Sequence, residues 1–79
     1  MIRVIFFGPV ADIVQSREMQ LDYLVGMTLH DVIAQLSAQH PNAFGIVSFI
    51  AVNHNQVRDK QMVLQDNDEV AFMAKFSGG

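Results

Sequence analysis

The hydrophobic and polar positions of this chain form several stretches that are typical of β-strands. Residues 2–7 are apolar at every position except Arg3, which predicts a central strand covered on both faces. Residues 17–23 alternate between polar and apolar, which predicts a strand with one solvated side. Further strands are predicted at residues 49–52, 56–58 and 69–73.

One longer segment has the period of an α-helix. Thr28 and Asp31 are spaced as in a capping box, in which the hydroxyl and the carboxylate each accept a hydrogen bond from a backbone N–H. Pro41 ends this helix near residue 39 or 40, while residues 42–48 have no regular pattern and predict a connector. A shorter helical stretch is predicted at residues 10–14. The apolar stripe of the longer helix must lie on a sheet and consists of Leu29, Val32, Ile33 and Leu36.

These elements indicate an α+β fold. The apolar first strand requires a neighbour on each side, and the last strand is the natural second neighbour, paired in parallel. With the helix across one face, the result is the ubiquitin-like β-grasp fold, a mixed sheet of four to five strands packed on one main helix. We expect this domain at residues 1–73 and a flexible C-terminal tail at residues 74–79.

The hydrophobic pattern lapses after residue 73, and the sequence ends with Phe76-Ser77-Gly78-Gly79. Glycine has no Cβ, so a backbone with two glycines can enter a narrow site. An extended chain from Ala74 onward reaches roughly 20 Å at about 3.3–3.6 Å per residue. We therefore expect a functional tail whose reactive group is the Gly79 carboxylate, with a frayed terminus as the alternative.

Composition narrows the classes of function. The 79 residues contain no cysteine, which excludes disulfides, thiolate metal sites and a cysteine nucleophile. A net charge of −3 with only 5 Lys and Arg argues against a nucleic-acid surface. No stretch approaches about twenty apolar residues, so we expect no membrane segment and a cytoplasmic protein. His30, His40 and His54 lack the paired spacing of a metal site, so we expect no metal.

Several short segments together indicate a family more specifically than any one of them does alone. The strongest part is the acidic turn and strand at residues 66–72, followed shortly by Ser77-Gly78-Gly79. Further parts are the opening Val4-Ile5-Phe6-Phe7-Gly8 before a short helix, His40-Pro41 at the helix end, and Ala51-Val52-Asn53 in the third strand. Over nearly its whole length the chain resembles the small subunit of molybdopterin synthase, a ubiquitin-like sulfur-carrier family.

The tail departs from the pattern of that family. Members usually have two prolines where Ala74-Lys75 stand and a smaller aliphatic residue in place of Phe76. Without the fixed φ angles of proline, the tail loses more conformational freedom when it docks. These departures indicate a different partner groove and bear on which pathway the carrier serves. They bear less on whether the chain is a carrier.

The resemblance implies a carrier with no catalytic side chain and no permanently bound cofactor. An ATP-dependent activating enzyme would adenylate the Gly79 carboxylate, and a persulfide sulfur would replace the AMP to give a thiocarboxylate. The tail would then enter a large-subunit partner, in an expected heterotetramer, and donate sulfur to a pterin precursor.

The predicted partner contacts lie on the sheet and in the tail. By strand parity Met73 faces away from the core side of its strand, which favours it as a partner anchor. Phe7 is a further candidate, and Gln56 occupies a position that resembles a contact of the family. The predicted contacts in the tail, next to the reactive Gly79, are Phe76, Ser77 and Gly78.

The same tail fits other functions. A sulfur carrier for another pathway, such as thiamine, cysteine or tRNA thiolation, would use the same chemistry. A ubiquitin-like protein modifier would join Gly79 to lysines of target proteins, and Lys75 gives the tail the slightly basic character common in modifiers. A β-grasp binding module with an inert tail is the remaining alternative.

Overall fold

The computed structural model of the protein describes residues 1–75. Five strands and three helices occupy this part of the chain. In chain order they are β1 (Ile2–Phe6), α1 (Gly8–Val14), β2 (Glu18–Leu21), α2 (Leu29–Gln39), α3 (Pro41–Phe44), β3 (Val47–Val52), β4 (Asn55–Val57) and β5 (Glu69–Ala74).

The strands form one sheet in the order β2-β1-β5-β3-β4. β1 and β5 run parallel at its centre, with Val4 opposite Val70 and Phe6 opposite Phe72. All other neighbouring pairs are antiparallel. Helix α2 packs on one face, which we call the inner face. This arrangement confirms the predicted α+β, ubiquitin-like β-grasp fold.

The core lies between α2 and the inner face. Leu29, Val32 and Leu36 of α2 are fully buried. In the same cluster Phe6 and Phe72 stack across the central strand pair, with ring centroids 6.0 Å apart. Because full burial of such a side chain contributes about 1.5–3 kcal/mol, these few residues provide a large part of the driving force for folding.

Helix α2 begins with the predicted capping box. The Thr28 hydroxyl oxygen accepts a hydrogen bond from the Asp31 N–H at 3.2 Å, and an Asp31 carboxylate oxygen accepts one from the Thr28 N–H at 2.9 Å. Two backbone donors that the first helical turn would leave unpaired are thereby satisfied. The helix ends at Gln39, just before the proline that was predicted to stop it.

The predicted connector at residues 42–48 is in fact partly regular. It contains most of α3 and the start of β3 at Val47. Proline suits the first helical position because its missing N–H has no partner to lose there. Phe44 of α3 meets Phe72 edge to face, with ring centroids 4.9 Å apart. A helix of four residues is too short to show a period in the sequence.

The expectation that β1 is covered on both faces was wrong. Arg3 is exposed and Ile5 is only partly buried, whereas Ile2, Val4 and Phe6 are buried on the inner face. An apolar run cannot distinguish a strand buried on both sides from one whose second face is apolar and open. The second face of this strand is part of the open side of the sheet.

We expect Leu36→Ala to lower the free energy of unfolding by about 2–5 kcal/mol, because it removes buried methyl groups and leaves a cavity under the sheet. Urea denaturation measures this loss. Gln35→Ala is the matched control, since Gln35 is an exposed neighbour on the same helix. Equal midpoints for the two variants would contradict the assignment of this stripe to the core.

The turn before β5 contains a carboxylate that titrates differently in the folded and unfolded chain. The N-terminal ammonium of Met1 donates a hydrogen bond to Asp66, and this bond holds the pKa of Asp66 below its usual 3.8. A depressed folded pKa stabilises the fold above the unfolded pKa, and the stabilisation is lost as pH falls through the folded pKa. The ion pair therefore makes the fold more sensitive to acid.

We expect Asp66→Asn to flatten the fall in melting temperature as the pH drops below about 4, because the substituted side chain takes up no proton on unfolding. Melting curves at a series of acidic pH values measure the slope. Asp22→Asn is the control, since Asp22 is exposed and has no ion pair among residues 1–75. The prediction fails if both variants keep the slope of the parent.

Candidate docking face and the base of the C-terminal segment

The sheet has a second side, which we call the outer face, and no helix among residues 1–75 packs over its centre. One row of side chains crosses it through successive strand pairs. Ile5 lies opposite Ala71, Ala71 opposite Ala51, and Ala51 opposite Gln56. Three of these four residues are apolar, so the row forms a smooth floor across four strands.

Two phenylalanines and a methionine lie next to this row on the outer face. Met73 lies opposite Phe49. Phe7 lines the same pocket as Met73, and its N–H donates to the Phe72 carbonyl oxygen at 3.1 Å. Phe7 and Phe49 are 49% and 40% exposed although they are large and apolar. Exposed anchors around a flat apolar floor are typical of a protein-binding surface.

A sharp change of chain direction keeps Phe7 at this position. Gly8 has a φ of 51°, a left-handed conformation that glycine adopts readily because it lacks a Cβ. The chain thus leaves β1 and enters α1 directly after Phe7. Val10 and Val14 of α1 then turn into the core. Because the apolar side chains of α1 enter the core after this turn, Phe7 stays on the surface of the domain.

The Phe7–Met73 pocket is shallow, with a volume of about 240 Å³. Its polar end is formed by Glu69, which is only 18% exposed, and by His54. A Glu69 oxygen lies 3.1 Å from His54 Nε2, and the other lies 3.9 Å from a guanidinium nitrogen of Arg3. Arg3 also donates to Glu18 at 3.1 Å, and this hydrogen bond raises the pKa of Arg3. Pairs with a largely exposed partner add little stability, but Arg3 and Glu69 place charges at the border of the apolar pocket.

The turn that carries His54 is fastened to the start of β5. Asn53 Oδ1 accepts a hydrogen bond from the Glu69 N–H at 3.0 Å, and the Asn53 N–H donates to the Glu69 carbonyl oxygen at 2.8 Å. Asn53 Nδ2 donates to Asp68 at 2.9 Å. Asn53 and His54 both have positive φ, which asparagine tolerates better than most residues. The His54 end of the pocket is therefore held in place by the backbone and side-chain hydrogen bonds of Asn53.

The structure brings together three of the predicted contact residues. Phe7 and Met73 line one pocket, and Gln56 lies on the same outer face two strands away from Met73. The other predicted site residues, Phe76, Ser77, Gly78 and Gly79, lie outside the described residues. The partner-binding role of the first six residues and the reactive role of Gly79 stay predictions.

Sequence reasoning missed Phe49 as a site residue. Its alternation with the buried Ile50 and Val52 along the strand already predicts that it faces outward. The structure adds that this outward position lies directly opposite Met73. Phe49 is therefore part of the candidate docking face.

The C-terminal segment begins one residue later than predicted. The sequence pattern puts Ala74 in the tail, whereas Ala74 is the last residue of β5, lies opposite Val47 and is 9% exposed. Lys75 is exposed and is the last described residue. The chain therefore leaves the sheet from the centre of the fold, beside Met73 of the docking face.

Two features are absent from the part of the chain that the structure describes. Residues 1–75 hold no group of three His, Asp or Glu side chains placed to bind a metal ion. None of the helices in this range has the length and apolar character needed to cross a membrane.

Comparison with known proteins places this chain in a family. The ThiS family profile matches residues 4–79. A molybdopterin synthase sulfur carrier subunit from Chlamydomonas reinhardtii is 32% identical over 82 residues, which cover 99% of this chain and 98% of that protein.

Solved structures agree on the fold. The complex of subunits 1 and 2 of the molybdopterin-converting factor from Helicobacter pylori contains a chain with a TM-score of 0.77 and 21% identity, covering 99% of this chain and 97% of that chain. Small archaeal modifier protein 1 from Methanosarcina acetivorans has a TM-score of 0.80 and 22% identity, covering 99% and 95%. The protein is thus a ubiquitin-like β-grasp protein. With the profile match and the curated relative, it belongs to the ThiS family.

We expect Phe49→Glu to weaken binding of a protein partner to the outer face by about tenfold or more, because it puts a charge on the docking face opposite Met73. Titration calorimetry measures the affinity, and a melting curve checks the fold. Val25→Glu is the matched control, since Val25 is 94% exposed in the turn before α2, away from this face. Equal loss in both variants would show that Phe49 is not a specific contact.

Proposed function

We propose that this chain is the sulfur carrier of a molybdopterin synthase. The observation that carries the proposal is that a single strand serves both parts of the function. β5 presents Met73 on the candidate docking face, and it ends at Ala74, five residues before the C-terminal glycine. A partner that binds the outer face would therefore meet the base of the tail at the edge of the same interface.

The proposed reaction takes place at the Gly79 carboxylate. A carboxylate is a poor electrophile, and transfer of AMP from ATP, with release of pyrophosphate, turns it into a reactive acyl-adenylate. The terminal sulfur of a partner's persulfide then displaces AMP and forms an acyl disulfide. A thiol of the partner attacks the S–S bond of this intermediate, which leaves a thiocarboxylate on Gly79 and a disulfide on the partner. The thiocarboxylate donates its sulfur to a pterin precursor, and water restores the carboxylate. ATP thus drives the installation of sulfur, and a chain without cysteine can carry it.

The residues of this chain would bind and position, and the partners would supply the catalytic groups. Phe7, Phe49 and Met73 would anchor the partner, with the charged pairs of Glu69 fixing the orientation of the bound face. Gly78 and Gly79 would pass through a narrow channel because they present only backbone. No cofactor needs to stay bound to the carrier in this scheme.

Two partners follow from the proposal, an ATP-dependent activating enzyme and a large subunit in a heterotetramer. The relation to a molybdopterin synthase sulfur carrier subunit supports the second, as does the likeness to a chain in the two-subunit Helicobacter pylori complex. Ala74 in place of a proline keeps a backbone N–H at the last residue of β5. The partner's groove would therefore receive a tail that is anchored by strand pairing.

We expect deletion of Gly79 to abolish sulfur transfer and to leave the melting temperature unchanged, because the sheet, the helices and the core cluster are formed by residues 2–74. The measurement is the intact mass of the protein after incubation with the activating enzyme, ATP and a persulfide source. The parent should gain the mass difference between sulfur and oxygen, and the truncated protein should gain nothing. A mass gain in the truncated protein would place the chemistry elsewhere.

The same experiment separates the sulfur carrier from a protein modifier. A modifier would form adducts whose mass is the sum of the carrier and a target protein, joined through a lysine. A carrier for molybdopterin would return to the free acid when the large subunit and a pterin precursor are added. Thiocarboxylate that persists under those conditions would point to another sulfur acceptor, such as a precursor of thiamine, cysteine or thiolated tRNA.

A further inference from the structure

The pairing of β3 with β5 changes register at one point. From Val52↔Val70 to Phe49↔Met73, each step along β5 is matched by one step along β3. The last step of β5, to Ala74, is matched by two steps of β3, to Val47. Ser48 is therefore an extra residue in β3, a β-bulge opposite the end of the strand that leads to the tail.

The extra residue changes which side chains face the core. Without it, strict alternation would place Val47 outward with Phe49 and would turn Ser48 inward. With it, Val47 packs against the core while Phe49 stays outward opposite Met73. Ser48 is left exposed, with only a local hydrogen bond of 3.5 Å to the Ile46 carbonyl oxygen.

The change of register also determines how the last residue of β5, Ala74, is packed. Ala74 is buried in the hydrophobic core, its partner Val47 packs against that core, and the next residue, Lys75, is exposed. A bulge increases the local twist of the strands and bends the strand that contains it. The bulge thus sets where the chain leaves the sheet relative to the docking residues Phe49 and Met73.

We propose that the bulge at Ser48 is the positioning element of the C-terminal segment: it fixes the Val47–Ala74 pair so that a partner bound to the outer face receives Gly79 in a defined direction. Ser48 is thus a positioning residue that acts through its place in the backbone and not through its hydroxyl. The inference rests on the proposed function, because it assigns a role within activation by the adenylating enzyme.

A second explanation of the bulge makes different predictions. Among residues 1–75, β4 pairs only with Ile50 to Val52, so the first half of β3 has no neighbouring strand on that side within this range. Bulges on such edges hinder pairing with a second chain. If the bulge served only this purpose, its removal would produce dimers or aggregates and leave activation of the monomer unchanged.

The test is deletion of Ser48, with Ser48→Ala as the matched variant that keeps the extra residue and lacks the hydroxyl. The assay is ATP–pyrophosphate exchange with the adenylating enzyme encoded in the same genome. We expect the deletion to lower kcat by at least about tenfold with KM within about twofold, since a displacement of about 1 Å can cost about 100-fold in rate. Ser48→Ala should retain both constants.

Deletion of Ser48 turns the Val47 side chain from the inner to the outer face, and a variant changed in this way can fail to fold. Ser48→Gly then takes its place, because glycine loosens the bulge without removing a residue. We expect a several-fold lower kcat than in Ser48→Ala, with unchanged KM and a monomer by gel filtration. Equal kcat for the glycine and alanine variants would overturn the proposal.

The outcomes also separate this inference from the proposed function. If the parent supports exchange and the deletion variant has the same kcat, the positioning role is refuted and the proposed function stands. The same holds if the deletion variant forms an oligomer whose kcat per chain equals that of the parent. A loss that appears only in KM would make Ser48 a docking contact and would refute positioning as well. No exchange by the parent would refute the proposed activation, and the inference would fall with it.

Discussion

The parallel pairing of β1 with β5 is the constraint on which the rest of the structure depends. It joins the first and last strands of the chain at the centre of the sheet, where Phe6 and Phe72 stack above the apolar stripe of α2. Pairing between such distant segments costs loop-closure entropy, and burial of the aromatic pair against the helix compensates for that cost. Because β5 is thus held at the centre, the C-terminal segment starts from a fixed point of the fold.

The same pairing places the apolar residues of the central strands on two different faces of the sheet. Side chains on the inner face are packed under α2 and determine stability, while those on the outer face remain available for a partner. Phe7, Phe49 and Met73 contribute little to the core, yet their positions are fixed by the strands that carry them. The proposed role of sulfur carrier depends on this division, since the partner would bind the outer face while the inner face keeps the domain folded.

The connection between the two faces lies at the end of β5. Met73 faces outward and Ala74 inward, so two consecutive residues join the docking face to the core. The irregularity in β3 allows Val47 to follow Ala74 into the core without moving Phe49 from the surface. A regular ladder could satisfy only one of these requirements, because side chains on a strand alternate strictly between the two faces.

The sequence by itself determined the elements with strong local signals: the capping box at Thr28, the stripe ending at Leu36, the acidic turn before β5 and the glycine pair that identifies the tail. Strand alternation also placed Met73 on the outward side. Only the tertiary structure decided that β1 is open on one face, that Ala74 belongs to the sheet, and that Phe7, Phe49 and Met73 form one surface. Local patterns report the preferences of one segment, whereas coverage, register and the bulge at Ser48 depend on how distant strands meet.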